Sequence, residues 1–375
     1  MNVQAQTLVR DYGLLACNQC GKCTGGCPLA IKSPLNVRDL IYRTILNRDG
    51  MDISGLDELW HCSTCWTCVL RCPKEVKPAE LIIGMRSALV ESGRIPQTVS
   101  SALLRSVYVR GNPLTFPREN RAAWLGELSV KDVAEGAEVL YHVGCVPSYD
   151  SRVQKVARAM VRTFDRADVD FGILGTREIC CGSDVRRLGE AGLFEMVQED
   201  NQALWADLSV KRMVTTSPHC FHTFRNEYPP QAFEVHHYTQ FIAGLIEAGK
   251  LSLSGRLEQT VTYHDPCYLG KQNGVYDEPR EILKSIPGLK LVEMDRSREN
   301  SLCCEGGGGR MFVEDPNPGK KLAHMRIEQA LSVGAQIIAV ACPFCMSVLE
   351  DAILTGGHEG DIRVMDVVEL VDLVL

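Results

Sequence analysis

The spacing of apolar positions divides the chain into three regimes. In the first, Val37, Leu40, Ile41, Ile45 and Leu46 recur at intervals of three and four. That period predicts an amphipathic helix over 37–47, with Asn36 as its cap. A second helix of the same kind is expected over 77–93, closed by Gly93. Over 95–137 the periodicity lapses, and Asn112-Pro113 and Phe116-Pro117 punctuate what reads as an irregular connector. It carries Arg105, Arg110, Arg118 and Arg121, read either as a solvated surface or as a dock for an acidic partner subunit. From Glu138 onward short apolar runs alternate with helical patterns. Strands are expected at 139–143, 171–174, 213–216, 261–264, 289–294 and 336–341. Helices are expected at 153–164, 194–208, 279–286 and 320–333, and after Ser217 and Cys342, the last carrying Leu349. Strands alternating with helices predict parallel sheets flanked by helices, with ligands at the carboxyl ends of the strands.

This alternation occurs twice. Cys145 and Cys267 are 122 residues apart, the pairs Cys180-Cys181 and Cys303-Cys304 are 123 apart, and Cys220 and Cys345 are 125 apart. So steady an offset marks a duplicated unit. The expected division is a helical unit over 1–94, a connector over 95–137, a first α/β unit over 138–256 and a second over 257–375.

Composition narrows the setting. A chain of 375 residues with 45% hydrophobic and 23% charged residues is long enough for more than one core. Its net charge of −7 argues against nucleic acid as a partner. The opening residues, Met1 and Asn2 through Thr7, show no charged-then-apolar export pattern, and no apolar run reaches bilayer length. The expectation is a cytoplasmic protein without direct membrane insertion, linked to a membrane only through partner subunits. In that compartment seventeen cysteines are reduced and available to metal.

Eight of them form two identical runs. Cys17-x-x-Cys20-x-x-Cys23-x-x-x-Cys27-Pro28 is matched by Cys62-x-x-Cys65-x-x-Cys68-x-x-x-Cys72-Pro73. Each is the bacterial ferredoxin ligand run, in which the fourth cysteine serves the other cluster. Two cubane 4Fe-4S clusters are therefore expected, one on Cys17, Cys20, Cys23 and Cys72, the other on Cys62, Cys65, Cys68 and Cys27. A single run could belong to a zinc protein; the doubled spacing speaks against it. Trp60 and Trp66 bracket the second run and are read as shields against water.

Five more cysteines mark the second α/β unit: His264-Asp-Pro-Cys267, Cys303-Cys304-Glu305 followed by Gly306 to Gly309, and Cys342-Pro-Phe-Cys345. Adjacent cysteines do not readily close on each other, so Cys303 and Cys304 read as two thiolates aimed at one inorganic centre. The glycines let backbone N–H groups approach an anion. A phosphate loop lacks its Gly-Lys-Ser/Thr ending here, and a plain glycine loop with structural cysteines is the bland reading. The first unit has Ser217 where the second has Cys342, leaving Cys145, Cys180, Cys181 and Cys220. Four thiolates suit zinc or a further iron–sulfur cluster, with His219 and His222 as spare donors, or an inherited site without metal. Every cysteine is thereby assigned, and no flavin or nicotinamide fingerprint or hydrolytic triad stands out.

A double ferredoxin run followed by two Cys…Cys-Cys-Gly-type units resembles the heterodisulfide reductase family, with its ferredoxin-like and catalytic CCG subunits fused as in the family's D-type chain. Iron–sulfur subunits of glycolate, lactate and anaerobic glycerol-3-phosphate dehydrogenases are similar, as is the K-type chain of the dissimilatory sulfite reductase-linked membrane complex. The resemblance implies an α/β fold class: an α-helical two-cluster ferredoxin domain followed by two tandem α/β CCG domains. It implies a noncubane 4Fe-4S cluster on Cys267, Cys303, Cys304, Cys342 and Cys345, supplied with electrons by the cubanes. In the catalytic family member such a cluster cleaves a disulfide in two one-electron steps. Two departures stand out. Ser217 breaks the first cassette, and Glu305 replaces the glycine after the cysteine pair, where it reads as a proton donor or as a turn residue. His264 likewise reads as an acid or as a turn residue. The function expected is an electron-transfer subunit of a multi-subunit oxidoreductase, working between a flavoprotein partner and the noncubane centre. A membrane cytochrome subunit is a further candidate partner. The alternatives are a catalytic disulfide reductase subunit and a zinc-stabilised scaffold that docks the ferredoxin module.

Overall fold

The computed structural model describes residues 2–3, 5–315, 317–319 and 321–375. Met1, in the segment scanned for an export pattern, and Lys320, the expected start of a helix, lie outside the described residues. At the N-terminus two short strands, β1 (Asn2–Val3) and β2 (Met51–Asp52), pair antiparallel. Between them runs the helix Val37–Leu46, whose first turn is closed by the Asn36 side chain accepting from the Asp39 N–H at 3.1 Å. Val37, Leu40 and Ile41 are buried, whereas Leu46 faces solvent. A longer helix, Pro78–Glu91, begins on proline and buries Leu81, Ile82, Met85, Arg86 and Leu89.

The connector is more ordered than its sequence predicts. A π-helical stretch, Val99–Leu104, runs directly into the α-helix Arg105–Arg110, which ends at Gly111 with φ of 68°. The wider π turn shifts the buried face partway along, so no single 3.6-residue period spans the segment. A 3₁₀ stretch, Arg118–Leu125, follows and inserts Trp124 edge-on against Tyr141 at 6.4 Å. Arg121, expected at the surface, is buried in this stretch.

The two α/β units are topological copies. Strands β3 (Val139–His142), β4 (Phe171–Gly172), β5 (Arg212–Thr215) and β6 (Glu234–His237) form a parallel sheet in the order β4-β3-β5-β6. Strands β7 (Thr260–Tyr263), β8 (Lys290–Val292), β9 (Ile337–Val340) and β10 (Arg363–Asp366) form a second in the order β10-β9-β7-β8. Counted within each unit, both orders are 2-1-3-4. The chain leaves the first strand toward one edge and returns past it for the third, which opens a crevice at the carboxyl ends of those two strands.

The sheets are joined through one apolar core in which the helix Gln154–Arg166 of the first unit meets the helix Val367–Asp372 of the second. Tyr238 donates to Asp366 across this junction at 2.5 Å, and burial pushes the Asp366 carboxyl up to about 8. No helix among the described residues is long and apolar enough to cross a membrane.

Candidate metal centres

Each unit delivers its cysteines to that crevice. After β3, Gly144 takes φ of 86° and Cys145 opens a short helix; after β5, Ser217 caps the helix Pro218–Asn226 that carries Cys220. After β7 comes Cys267, and after β9, Cys342 occupies the cap position of the helix Pro343–Gly356 that carries Cys345. The paired cysteines arrive on the loops that follow the second strands. Sequence distance between the cysteines thus collapses because the switch point lies between the first and third strands.

In the second unit all five cysteines are buried. The Cys304 and Cys345 sulfurs lie 3.3 Å apart, and His264 joins them with a ring nitrogen, all three ligand atoms within 4.8 Å of one another. Backbone N–H groups of Glu305 and Gly306 donate to the sulfurs of Cys303 and Cys304 at 3.3 and 3.4 Å. Hydrogen bonds from Cys303 and Cys345 hold Cys304 well below the ordinary thiol range, while those to Cys304 and Cys342, with burial, push Cys345 well above it. Sulfurs crowded enough to share protons are crowded enough to share metal. Arg326 Nε donates to His264 Nδ1 at 3.1 Å, so the ring is neutral with its proton on Nε2, and burial, then the Arg326 charge, pushes its pKa down to about 3.

The second ferredoxin run sits against this cassette. Leu29, Cys65, Cys267, Tyr268, Leu302, Cys303 and Leu322 form one buried cluster, with Cys27 packed on it. Ser63 Oγ is 3.4 Å from Cys303 Sγ, Thr64 Oγ1 is 2.6 Å from the Tyr268 hydroxyl, and Lys271 Nζ donates to Thr67 Oγ1 at 2.8 Å. Cys68 is pushed well above the thiol range by burial and by its neighbours Cys62, Cys65 and Cys27. Cys17, Cys20, Cys23 and Cys72 thus share one pocket, and Cys27, Cys62 and Cys65 are neighbours of Cys68. Of the two tryptophans, Trp60 is buried under the Arg86 guanidinium at 5.6 Å, and Trp66 is half-buried with φ of 69°.

The first unit gathers Cys145, Cys180, Cys181 and Cys220 around a pocket shared with Ser217, His219 and Phe344. Ser217 Oγ accepts from the His219 N–H at 3.3 Å, so the hydroxyl that replaces a cysteine is engaged as a helix cap. His219 stacks on Tyr268 at 4.0 Å, and burial pushes it down to about 4. His222 turns instead to Glu227 at 3.5 Å and Asn273 at 3.1 Å, away from the four cysteines.

Buried cations surround these sulfurs. Arg121 donates from both Nη1 and Nη2 to Cys145 Sγ at 3.6 Å and pairs with Glu178 at 2.6 Å. Arg86 and Lys271 have no carboxylate partner among the described residues, and they lie near Cys62 and Cys65. An uncompensated buried charge is costly, and each needs an anion nearby. All seventeen cysteines are free thiols, several accept backbone N–H bonds, and the cations face them. That donor set fits anionic iron–sulfur clusters.

Glu305 has a more specific environment than a turn residue. It holds φ of 75°, a left-handed conformation that a glycine adopts without cost. One carboxylate oxygen accepts from the Leu322 N–H at 2.9 Å, and the other lies 3.1 Å from Nζ of Lys32, a buried lysine of the ferredoxin unit. Lys32 also binds Asp315 at 2.7 Å. The pair latches the loop after Cys27 to the loop after Cys304. Glu305→Gln is expected to lower stability by about 1–3 kcal/mol, because it leaves Lys32 with one carboxylate in place of two. The check is the urea midpoint of the anaerobic protein beside the pH profile of its reduction. A proton donor would shift the profile; a latch moves only the midpoint.

A dicluster ferredoxin unit fused to two cysteine-lined α/β crevices defines an iron–sulfur oxidoreductase subunit. Residues 13–76 match the 4Fe-4S dicluster domain family, and residues 139–225 and 261–350 each match the cysteine-rich domain family. The chain is 32% identical over 394 residues to the D-type chain of the dihydromethanophenazine:CoB–CoM heterodisulfide reductase of Methanosarcina barkeri, covering 97% of this chain and 95% of that one. It is 39% identical over 330 residues to the probable iron–sulfur-binding oxidoreductase FadF of Bacillus subtilis, and 35% identical over 335 residues to the EtfAB:quinone oxidoreductase of Syntrophomonas wolfei. Each of those matches covers 85% of this chain and 47% of the relative, so the chain spans about half the length of these two. The chain belongs to the D-type heterodisulfide reductase family.

Proposed function

We propose that this chain is the electron-relaying subunit of a multi-subunit oxidoreductase, connecting a flavoprotein partner to a noncubane centre. Cys17, Cys20, Cys23 and Cys72 hold one 4Fe-4S cluster, Cys62, Cys65, Cys68 and Cys27 the second, and Cys267, Cys303, Cys304, Cys342 and Cys345 the noncubane one. Cys145, Cys180, Cys181 and Cys220 hold zinc or a further cluster. When bound, such clusters supply one-electron transfer. The observation that carries the reading is the meeting of Cys65 with Cys267 and Cys303 in one buried apolar cluster. It joins the ferredoxin unit to the second crevice with no solvent layer between.

Around this junction the protein excludes water with Leu29, Tyr268 and Leu322, and balances charge with Arg86 and Lys271. Lys32 and Glu305 hold the two loops in register. The flavoprotein, other redox subunits and a membrane cytochrome subunit belong to the same proposal, as does a cytoplasmic location. A disulfide reductase acting at Cys267 to Cys345 is the second reading. The complete five-thiol set favours it; the burial of all five sulfurs leaves a disulfide no open approach.

Stopped-flow reduction of the anaerobically purified chain, with metal analysis and EPR, tests the relay. Iron at the ferredoxin and second-cassette sites and negligible reduction by NADH alone are expected. Efficient reduction by NADH without a partner would sink the idea, and zinc in the second cassette would favour a scaffold. Turnover of small disulfides with reduced viologen would favour the second reading.

A further inference from the structure

The five cysteines of the second crevice are buried, which favours a more accessible sulfur as a partner's point of contact. Of the seventeen cysteines, Cys20 alone is exposed, and it lies in the pocket it shares with Cys17, Cys23 and Cys72. The lining of that pocket includes Lys22, Arg38 and Lys74 and no carboxylate. All three are exposed, as is Lys77 at the start of the helix Pro78–Glu91. Among the described residues none of these four is held in an ion pair. Glu75 is the exposed acid in this stretch, and the nearby Asp39 is paired with Arg43 at 2.8 Å. Leu15 and Leu70, 67% and 47% exposed, stand two residues before Cys17 and Cys72. A molecule with a net charge of −7 thus presents an unpaired cationic rim with apolar neighbours at its most accessible sulfur.

Two purposes compete for such a rim: neutralising the anionic centre, or receiving a partner. Neutralisation inside the protein is served by buried cations, Arg121 at Cys145 and Arg86 near Cys62. An exposed lysine acts through water, where even at 4 Å a charge pair is worth about 1 kcal/mol. Its contribution to the centre is small. Several exposed cations acting together on an approaching anionic surface are effective at longer range, raising encounter rates by about 10 to 1,000-fold at low salt.

We propose that Lys22, Arg38, Lys74 and Lys77 form the docking rim for an acidic redox protein, which exchanges electrons with the chain at the Cys20 edge. This rests on the reading that Cys17, Cys20, Cys23 and Cys72 hold a cluster. The partner's face carries carboxylates around its own cofactor edge, with a small apolar centre to meet Leu15 and Leu70.

The test uses the anaerobic holoprotein and reduced flavodoxin, an acidic flavoprotein, as the probe. The bimolecular reduction rate is expected to fall at least about tenfold as ionic strength rises to about 1 M, where screening shortens to about 3 Å. The triple variant Lys22→Glu, Arg38→Glu, Lys74→Glu is expected to lose at least about tenfold of the low-salt rate, while Lys250→Glu, an exposed lysine elsewhere, retains it. Iron content and reduction by photoreduced deazaflavin are expected to be unchanged in the triple variant. A flavodoxin rate indifferent to salt and charge reversal, with iron intact, overturns the docking rim and leaves the relay standing. An equal loss with deazaflavin also overturns it, because the rim then tunes the centre. Absence of ferredoxin iron in the wild-type chain overturns the relay reading and the rim with it.

Discussion

Cys304→Ser is expected to strip the second crevice of its iron, about four atoms per chain, and to abolish electron delivery beyond the ferredoxin unit. Cys304 lies at the middle of the sulfur set, hydrogen-bonded to Cys345 at 3.3 Å and sharing a proton with Cys303. A serine oxygen is a poorer ligand for soft iron–sulfur chemistry, and the site has no spare thiol, since every cysteine is already placed. Both ferredoxin signals are expected to survive, because Cys304 belongs to neither crossed set. Cys303→Ser is expected to lose the same iron and in addition to disturb the signal of the Cys62, Cys65, Cys68 and Cys27 centre. Cys303 touches that centre's surroundings through Cys65 and Ser63, which Cys304 does not. Iron quantification with EPR on both variants is the check. Full iron content with unchanged electron delivery in Cys304→Ser would remove Cys304 from the ligands of the second crevice.

The parts of this arrangement that the sequence made legible are those written in local spacing. The ferredoxin runs carry their own cysteine spacing, and β3 and β9 are buried along their whole length because both faces of each sheet are covered. Asn36 caps its helix as its residue type and position predict. The fourth strand of each sheet left no such mark. β6 reads Glu-Val-His-His and β10 reads Arg-Val-Met-Asp, edge strands whose mixed polarity suits partial exposure. The connector's helix was hidden by its π turn. Ser217 was legible as a missing thiolate and not as a cap, since its partner, the His219 N–H, depends on where the helix begins.

One signal was present and easy to pass over. Arg86 stands on the buried stripe formed by Ile82, Met85 and Leu89, and Arg326 stands on that of Ala323, Ile327 and Ala330. A cation on an apolar stripe has to be met by something polar from outside its helix. Arg326 meets His264 beside the second cassette, and Arg86 meets carbonyls from three segments. Such positions mark where distant parts of the chain converge beside the cysteines. Lys32 and Glu305 carry no comparable mark, because their pairing spans most of the sequence and neither lies on a periodic face.

Arg86→Met is therefore expected to be the most destabilising single change outside the cysteines. The guanidinium is fully buried and donates to Leu59 O from Nε at 3.0 Å and from Nη2 at 2.7 Å, and to Cys62 O at 2.6 Å. It also reaches Arg187 O of the first α/β unit at 2.8 Å and Gly308 O of the second at 3.4 Å. One side chain thus ties together the ferredoxin loop and both α/β units. Methionine fills much of the volume but leaves these carbonyls unpaired, at about 1–3 kcal/mol for each that water cannot reach. A loss of more than about 3 kcal/mol is expected, read as a lower urea midpoint for bleaching of the cluster absorbance. Arg86→Lys keeps the charge and fewer of the bonds, so its midpoint falls between those of Arg86→Met and the wild type. The two variants also separate electrostatics from packing. Reduction adds negative charge to the centre beside Cys62, so removing the cation in Arg86→Met lowers that centre's midpoint potential, whereas Arg86→Lys preserves it. If Arg86→Met unfolds at the wild-type urea concentration with an unchanged potential, Arg86 neither clamps the three units nor balances the centre.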